Sequence, residues 1–393
     1  MTQPSQTVKQ GSALIIALWT IALLSMLVMS FAVDAQLEAR IGNYVRQRHR
    51  VNYLTQSGVA ITEMLLLKMP KVSAASAADE QEDRWKEPAL RLKRGQALTV
   101  EEHLEDGVIH IEIIPEEARW NINLLCASGP QNVPTIPNKK TTANIMVYNP
   151  DDVWEKIFTE AGYPDPTYWE ELIDAWNDWA DADSTASGRG GGAEDEYYTN
   201  LEPPYKSRNG PIDNIDELRL VKGFIPVVLD GGCLNPDEKR EEQRIVVKGI
   251  KELFTTYGNG KINVNAAPME VLMTIPGMDE ITAGATIEER EGQNSGMYGP
   301  RGASSSAERS KKSNARSSGS TDEEIEDYSF KNEADFMSRV MIKDSSIQQY
   351  ITTQSTTFRV IIEGRAAGIA HAIQAIAVLD GEKISYLRWR EDP

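Results

Sequence analysis

Ser12 to Val33 limits what this chain can become more than any other stretch. It reads SALIIALWTIALLSMLVMSFAV and holds no charged side chain over its 22 residues. At ~1.5 Å per residue a helix of that length just crosses a hydrocarbon layer of ~30 Å, so the chain is expected to start in a membrane. Lys9 and Gly11 stand before the run, and Asp34, Glu38, Arg40, Arg46, Arg48 and Arg50 come after it. An ordinary secretory signal has a shorter apolar core with a small-x-small site behind it. Here the cleavage point on offer lies in front, between Gly11 and Ser12, and cutting there leaves the helix attached. A simple signal anchor is the competing reading of this stretch.

Beyond the apolar run the chain is acidic. Its 393 residues leave room for two or more cored domains. Its net charge is −18 and its pI near 4.8. Such a surface repels nucleic acid and anionic lipid, and suits an extracytoplasmic domain or one that collects divalent cations. The two cysteines, Cys126 and Cys233, lack the close spacing of a zinc or redox motif. One disulfide and two buried thiols both remain open on sequence alone. Four scattered histidines, none in an HExxH pattern, argue against a histidine-based centre.

Good helix formers continue past the apolar run, with Leu37, Ile41, Val45, Val51, Leu54, Ile61 and Leu65 at helical spacing. Gly42 and Gly58 weaken this helix without ending it, and Pro70 stops it. One helix of about 55 residues is expected, its second half lying against a globular domain. Val72 to Asp83 reads as a linker. Strands are expected at 98–100 and at 108–114, where His110 and Glu112 fall on the face opposite the isoleucines. A loop covers 128–144. Helices are expected from Asp151 and over Pro166 to Ala180, the second with a core stripe of Trp169, Trp176 and Trp179. Gly292 to Thr321, rich in Gly and Ser, is expected to be disordered. Three strand-like runs, 356–363, 370–379 and 384–389, close the chain across turns at 364–368 and 380–381. Strands on both sides of a helical block imply that the block is inserted into an α+β domain.

Two segments within that block carry candidate chemistry. In DWADADSTASGRGGGAEDEYY, Asp178, Asp181 and Asp183 crowd a helix C-terminus, where the helix dipole opposes negative charge, and Glu194 lies beyond a glycine-rich loop. Such a cluster is solvated or neutralised. Calcium, which takes six to eight oxygens in irregular geometry, is the expected neutraliser, with Asp178, Asp181, Asp183 and Glu194 as candidate ligands. The phrases Ile215–Phe224 and Met269–Met278 resemble helix-hairpin-helix units, whose turn amides can hold a DNA phosphate. After Gly277, however, come Met278, Asp279 and Glu280, so both units are read as structural.

The leader and span, together with DWADAD, GAEDEYY, PPY and RNGPIDNIDELRLVKG between Asp178 and Gly223 and GKINVNAAPMEVLMTIPG from Gly260 to Gly277, resemble the minor pseudopilin K family of type II secretion systems, also called general secretion pathway protein K. The ending, STTFRVIIEGRAAGIAHAIQAIAVLDGEKISYLRWRED, is similar to that family's final strands. The resemblance implies an α+β fold: a long type IV pilin-like helix and an antiparallel sheet, with a large, mostly α-helical domain inserted. It divides the chain into a leader (1–11), a transmembrane part (12–33), an amphipathic helix (34–70), first strands (71–125), the inserted domain (126–350) and final strands (351–393).

It further implies a non-enzymatic protein in the inner membrane with its C-terminal domain in the periplasm. That protein would be cut by prepilin peptidase between Gly11 and Ser12 and would bind calcium. Its implied partners are other minor pseudopilins, met through the N-terminal helix, and the major pseudopilin filament. Two departures stand out: Ser12 would be the first mature residue where most pilins have Phe or Met, and Ile16 holds the fifth position, where most have Glu. The alternative is a membrane-anchored, competence-type helix-hairpin-helix DNA-binding protein, which Ile262–Ala266 also resembles. The acidic composition and strand-rich ending favour the pseudopilin, and no nucleic acid is expected as a partner.

Overall fold

The computed structural model of the chain describes residues 10–71, 84–104, 107–127, 148–186, 192–236, 240, 243–292 and 327–392. The linker expected at 72–83, the loop expected at 128–144 and all but the first residue of 292–321, the stretch expected to be disordered, lie outside the described residues. In chain order the elements are helices α1 (Gln10–Lys68) and α2 (Lys86–Lys93); strands β1 (Leu98–Leu104), β2 (Gly107–Pro115) and β3 (Trp120–Asn121); helices α3 (Pro150–Glu160), α4 (Glu170–Ala180), α5 (Asp195–Thr199) and α6 (Pro226–Asp230); strands β4 (Gly231–Cys233), β5 (Val246–Lys248), β6 (Phe254–Thr255) and β7 (Ile262–Asn263); helices α7 (Met269–Leu272), α8 (Glu280–Arg290) and α9 (Glu333–Val340); and strands β8 (Ile351–Thr352), β9 (Thr357–Ala366), β10 (Ile369–Asp380) and β11 (Lys383–Asp392).

The N-terminal helix is continuous over 59 residues and ends in a 3₁₀ turn around Pro70. Its apolar first half, long enough to cross a membrane, is exposed from Leu14 to Val33. From Val51 onward one face packs on a five-stranded antiparallel sheet of order β1-β2-β9-β10-β11. The two-residue period of the strands puts Ile109, Ile111 and Ile113 into that contact with Val360, Ile362, Ile373 and Ala377, and leaves His110 and Glu112 half-exposed behind them. Gly58 sits at the closest approach. A Cβ there would stand 2.5 Å from Ile362 Cγ2 and 2.9 Å from Ile109 Cγ2, so only glycine lets the helix lie this close to the strands.

Two expectations about this half are corrected. Leu37, Ile41 and Val45, read as part of the packed face, remain exposed because the sheet does not reach them. The β9–β10 connection is only Ala367-Gly368, with φ of 48° and 80°. Both residues lie in the left-handed region, as a tight hairpin turn requires, and Gly364 is inside β9.

The chain leaves the sheet after Pro115 and rejoins it at Thr357. The segment between builds a second core, which already includes Trp120, Ile122 and Leu125 and still includes Ile351. The expected boundaries at 126 and 350 therefore move outward. The physical reason is pairing, since β3 joins β6 and β8 joins β7, tying both ends of the segment into the block. The tryptophan stripe is core, as expected: Trp169, Trp176 and Trp179 are all buried, and Trp176, with Trp154 of α3, donates from Nε1 to Leu125 O, at 3.0 and 2.9 Å. The helix expected over 166–180 breaks at Trp169, with a 3₁₀ turn over Pro166–Tyr168 before α4.

Of the hairpin-like phrases, the first makes a 3₁₀ helix and the second makes α7, a turn and α8. Asp279 caps α8 by accepting from Thr282 N at 2.8 Å, so an amide at the start of that helix is already held by a carboxylate.

Two glutamates secure the junction between the two cores. Glu117 accepts from Thr356 N, Thr356 Oγ1 and Thr357 N at 3.0 to 3.2 Å. Glu116 binds Arg359 at 2.7 Å and also the Thr255 hydroxyl. The β9–β10 end of the sheet lies by Val51 and Thr55, since a Cβ on Gly364 would meet both. The inserted block, attached at the opposite ends of β2 and β9, is thus remote from the apolar half of α1.

Candidate metal centre

Helix α4 runs straight into an acidic turn. Asp181 is its C-cap, with its N–H donating to Asn177 O at 2.9 Å, so Asp178 and Asp181 crowd the negative end of the helix dipole. Asp183 opens the next turn by accepting from Thr185 N at 2.8 Å. Glu194 arrives from the other side as the N-cap of α5. One carboxylate oxygen each from Asp181, Asp183 and Glu194 lies within 4.8 Å of the other two. Residues 187–191, between the two arms, lie outside the described residues.

The electrostatics are those of a cluster short of positive charge. Asp181 and Glu194 are each 8% exposed, and Asp181 Oδ1 and both Glu194 carboxylate oxygens are buried without a hydrogen-bond partner. Burial, together with the charges of Asp178, Asp181, Asp183 and Asp195, pushes the Glu194 carboxyl up to about 7. Burial first, then Asp183 and Asp178, raises Asp181 as well.

The neighbouring acids behave differently. Asp195 accepts from Ser207 N and Oγ at 2.9 and 2.8 Å, which holds its carboxyl below the ordinary range. Asp178, expected as a ligand, is fully buried but lies outside the converging trio, where it acts on the trio through its charge.

Asn209 was not singled out from the sequence. With φ of 49°, it donates from its backbone N–H to Trp179 O at 3.0 Å and from Nδ2 to Asp183 O at 3.3 Å, bracing both flanks of the acidic turn. Its Oδ1 is buried without a partner. The signal for it was the Asn-Gly pair at 209–210, a turn dipeptide that tolerates the left-handed region. Orphaned buried carboxylate oxygens are the donor set a hard cation selects, so Asp181 and Glu194, with Asp183 beside them, fit calcium.

The remaining expected site residues fall elsewhere. Gly11 and Ser12 lie in the first turn of α1. Cys126 and Cys233 are free thiols, which corrects the disulfide alternative. Cys126 is packed in the second core with its Sγ 4.0 Å from Asn177 O, while Cys233 sits on β4 and donates to Asn235 Oδ1 at 3.5 Å.

Residues 118–230 match the family model described as type II secretion system (T2SS), protein K. The chain is 27% identical over 132 residues to type II secretion system protein K of Klebsiella pneumoniae, covering 34% of this chain and 35% of that protein. Against type II secretion system protein K of Aeromonas hydrophila it is 49% identical over 53 residues, 14% of this chain and 16% of that protein. The aligned stretches thus span only about a third and about a sixth of those relatives. The crystal structure of the GspK-GspI-GspJ complex from the type 2 secretion system of enterotoxigenic Escherichia coli aligns with a TM-score of 0.49 at 13% identity, covering 89% of this chain and 99% of that one. The matched residues 118–230 run from the junction with the sheet through the acidic centre to the end of α6, and over that stretch the chain is similar to type II secretion system protein K.

Proposed function

We propose that this protein is a non-enzymatic minor pseudopilin that caps or initiates the periplasmic pseudopilus of a type II secretion system. It is held in the inner membrane by the apolar half of α1, with its remaining bulk in the periplasm. Prepilin peptidase removes the leader between Gly11 and Ser12, and Asp181, Asp183 and Glu194 hold calcium, with Asp178 behind them.

The observation that carries this reading is the placement of the inserted block. It sits on the end of the sheet remote from the membrane-spanning helix, where it obstructs the addition of a further subunit above. Ile16 agrees. A buried carboxylate at the fifth mature position is costly unless a neighbour's amine pairs with it, and a subunit with no neighbour above does better with an apolar side chain. Contacts with other minor pseudopilins and the major pseudopilin filament run along α1. From Val51 to Met69 one face of α1 is taken by the chain's own sheet, so that face is free for them only over 35–50. Labelling assembled pili with antibody to the inserted block should mark one end only, and label spaced along the shaft would rule the cap out.

A further inference from the structure

The inserted block overhangs the sheet on the face turned away from α1. Between the two runs a cleft of about 400 Å³, walled by β9, β10 and β11 on one side and by residues within 213–216 and 251–257 on the other. Register fixes the sheet wall. Arg359 pairs with Ile376 and Ile376 with Arg388, so one row crosses three strands, and Gln374 pairs with Arg390 in the next row on the same face. Val360 and Ile373 alternate with these onto the α1 side, which sends the arginines outward into the cleft.

The charge of this cleft is opposite to that of the chain. Five cationic side chains line it, Arg119, Lys251, Arg359, Arg388 and Arg390, against three carboxylates, in a chain of net charge −18. Two of the cations are tightly held: Lys251 Nζ stands 2.6 Å from Asp216, and Arg359 Nε stands 2.7 Å from the buried Glu116. Arg119 and Arg388 are held loosely. Arg119 meets Glu252 at 3.7 Å and Arg388 stands 3.9 Å from the Asp213 carboxylate, both beyond hydrogen-bond distance. Arg388 donates instead to two uncharged oxygens, Asp213 O and Tyr257 Oη. An incoming carboxylate gives both guanidiniums a charge-assisted hydrogen bond in place of these contacts.

The span of the cationic row is too long for one small ion. Adjacent strands are ~4.8 Å apart, so Arg359 and Arg388 lie ~10 Å apart across the sheet, a distance that about three residues of extended chain cover. Ile376, between the two in register, gives the floor an apolar patch, and Phe254 and Tyr257 line the wall facing it. A polyanion such as nucleic acid is repelled by Asp213, Asp216 and Glu252 in the same walls and by the charge of the whole molecule.

We propose that this cleft binds an extended peptide segment of another protein that carries two or more carboxylates within about four residues, with Arg119 and Arg388 as the groups that receive them. The cleft faces away from α1, so its ligand is independent of contacts made along that helix.

The test uses the full-length chain in a non-ionic detergent and the fluorescence anisotropy of a labelled, end-blocked peptide of about eight residues that alternates glutamate and valine. The wild type should bind it, the lysine and glutamine counterparts should bind at least about tenfold more weakly, and raising salt from about 0.05 to about 0.5 M should weaken the complex. R119E/R388E should reduce affinity by about tenfold or more, whereas R91E, at an exposed arginine of α2 outside the cleft, should leave it unchanged. Gln374→Trp fills the exposed floor without altering charge and should block binding as well, which decides the outcome if the charge-reversed variant does not fold. No change in anisotropy up to about 0.1 mM protein, equal binding of the three peptides, or wild-type affinity in either cleft variant overturns the proposal. So does displacement of the peptide by inorganic phosphate at about 1 mM, because the cleft would then be a site for a free anion.

Discussion

Replacing Glu194 with Gln should change stability in opposite directions with and without calcium. Two unit charges 4.8 Å apart, the upper limit on the spacing of the converging carboxylate oxygens, repel by about 3.5 kcal/mol at an effective dielectric of about 20. A fully ionised trio is therefore costly, and the folded protein relieves it by keeping the Glu194 proton, with its carboxyl raised from 4.5 to about 7. A carboxyl raised on folding means that the folded state binds more protons between those two values. The calcium-free protein is therefore predicted to lose stability as pH rises from 4.5 to about 7. Glu194→Gln removes the charge and should stabilise the calcium-free protein at pH 8 by about 1–3 kcal/mol.

Calcium reverses the sign, because it needs the ionised carboxylate. At a hundredfold excess over its Kd it stabilises the wild type by about 2.7 kcal/mol. For a block of this size that is a rise in Tm of about 5–10 °C, and the variant should lose most of it. Melting of the chain lacking residues 1–33, in calcium and in chelator, at pH 5.5 and 8, reads all four states. An identical Tm for the wild type in millimolar calcium and in chelator, with no metal in the purified protein, would return the cluster to an ordinary solvated acidic turn. A Glu194→Gln variant less stable than wild type in chelator would refute the electrostatic account.

Gly58→Val should destabilise the helix–sheet core by about 1–3 kcal/mol through overpacking against Ile362 and Ile109, and an unchanged denaturation midpoint would show that the helix is not seated as described. Trp176→Ala, at a fully buried position, should cost about 3–5 kcal/mol by chemical denaturation of the inserted block. Glu117→Ala leaves Thr356 N and Thr357 N without their carboxylate acceptor; a loss of about 1–3 kcal/mol and faster amide exchange at both residues are expected, and unchanged protection there would count against the junction. Replacing Gly11 by a bulky residue should leave a longer precursor, whereas N-terminal sequencing of the wild type from Met1 would refute processing after Gly11.

Residue order alone determined those features whose cause is local. An uncharged run of 22 residues followed by good helix formers made α1, and alternating isoleucines made β2 with Ile109, Ile111 and Ile113 inward, because side-chain direction is set directly by the period of the backbone. Tryptophans at helical spacing likewise marked the core face of α4. Where the packed face of α1 begins was not legible, since Leu37 and Ile41 have the same spacing as Val51 and Leu54. The length of the sheet decides it, and the sheet is closed by strands some three hundred residues further on.

The acidic segment shows the same division. Its charge and its glycines were plain, but Glu194, Asp195 and Glu196 are equivalent in sequence, and only Glu194 turns toward Asp181 and Asp183, while Ser207 draws Asp195 away. Asn209 braces the Asp183 backbone from yet another segment. Which oxygens converge depends on how α4, α5 and the 207–209 turn pack around Trp179 and Tyr198, and that packing is settled by long-range burial, which no local pattern of residues encodes.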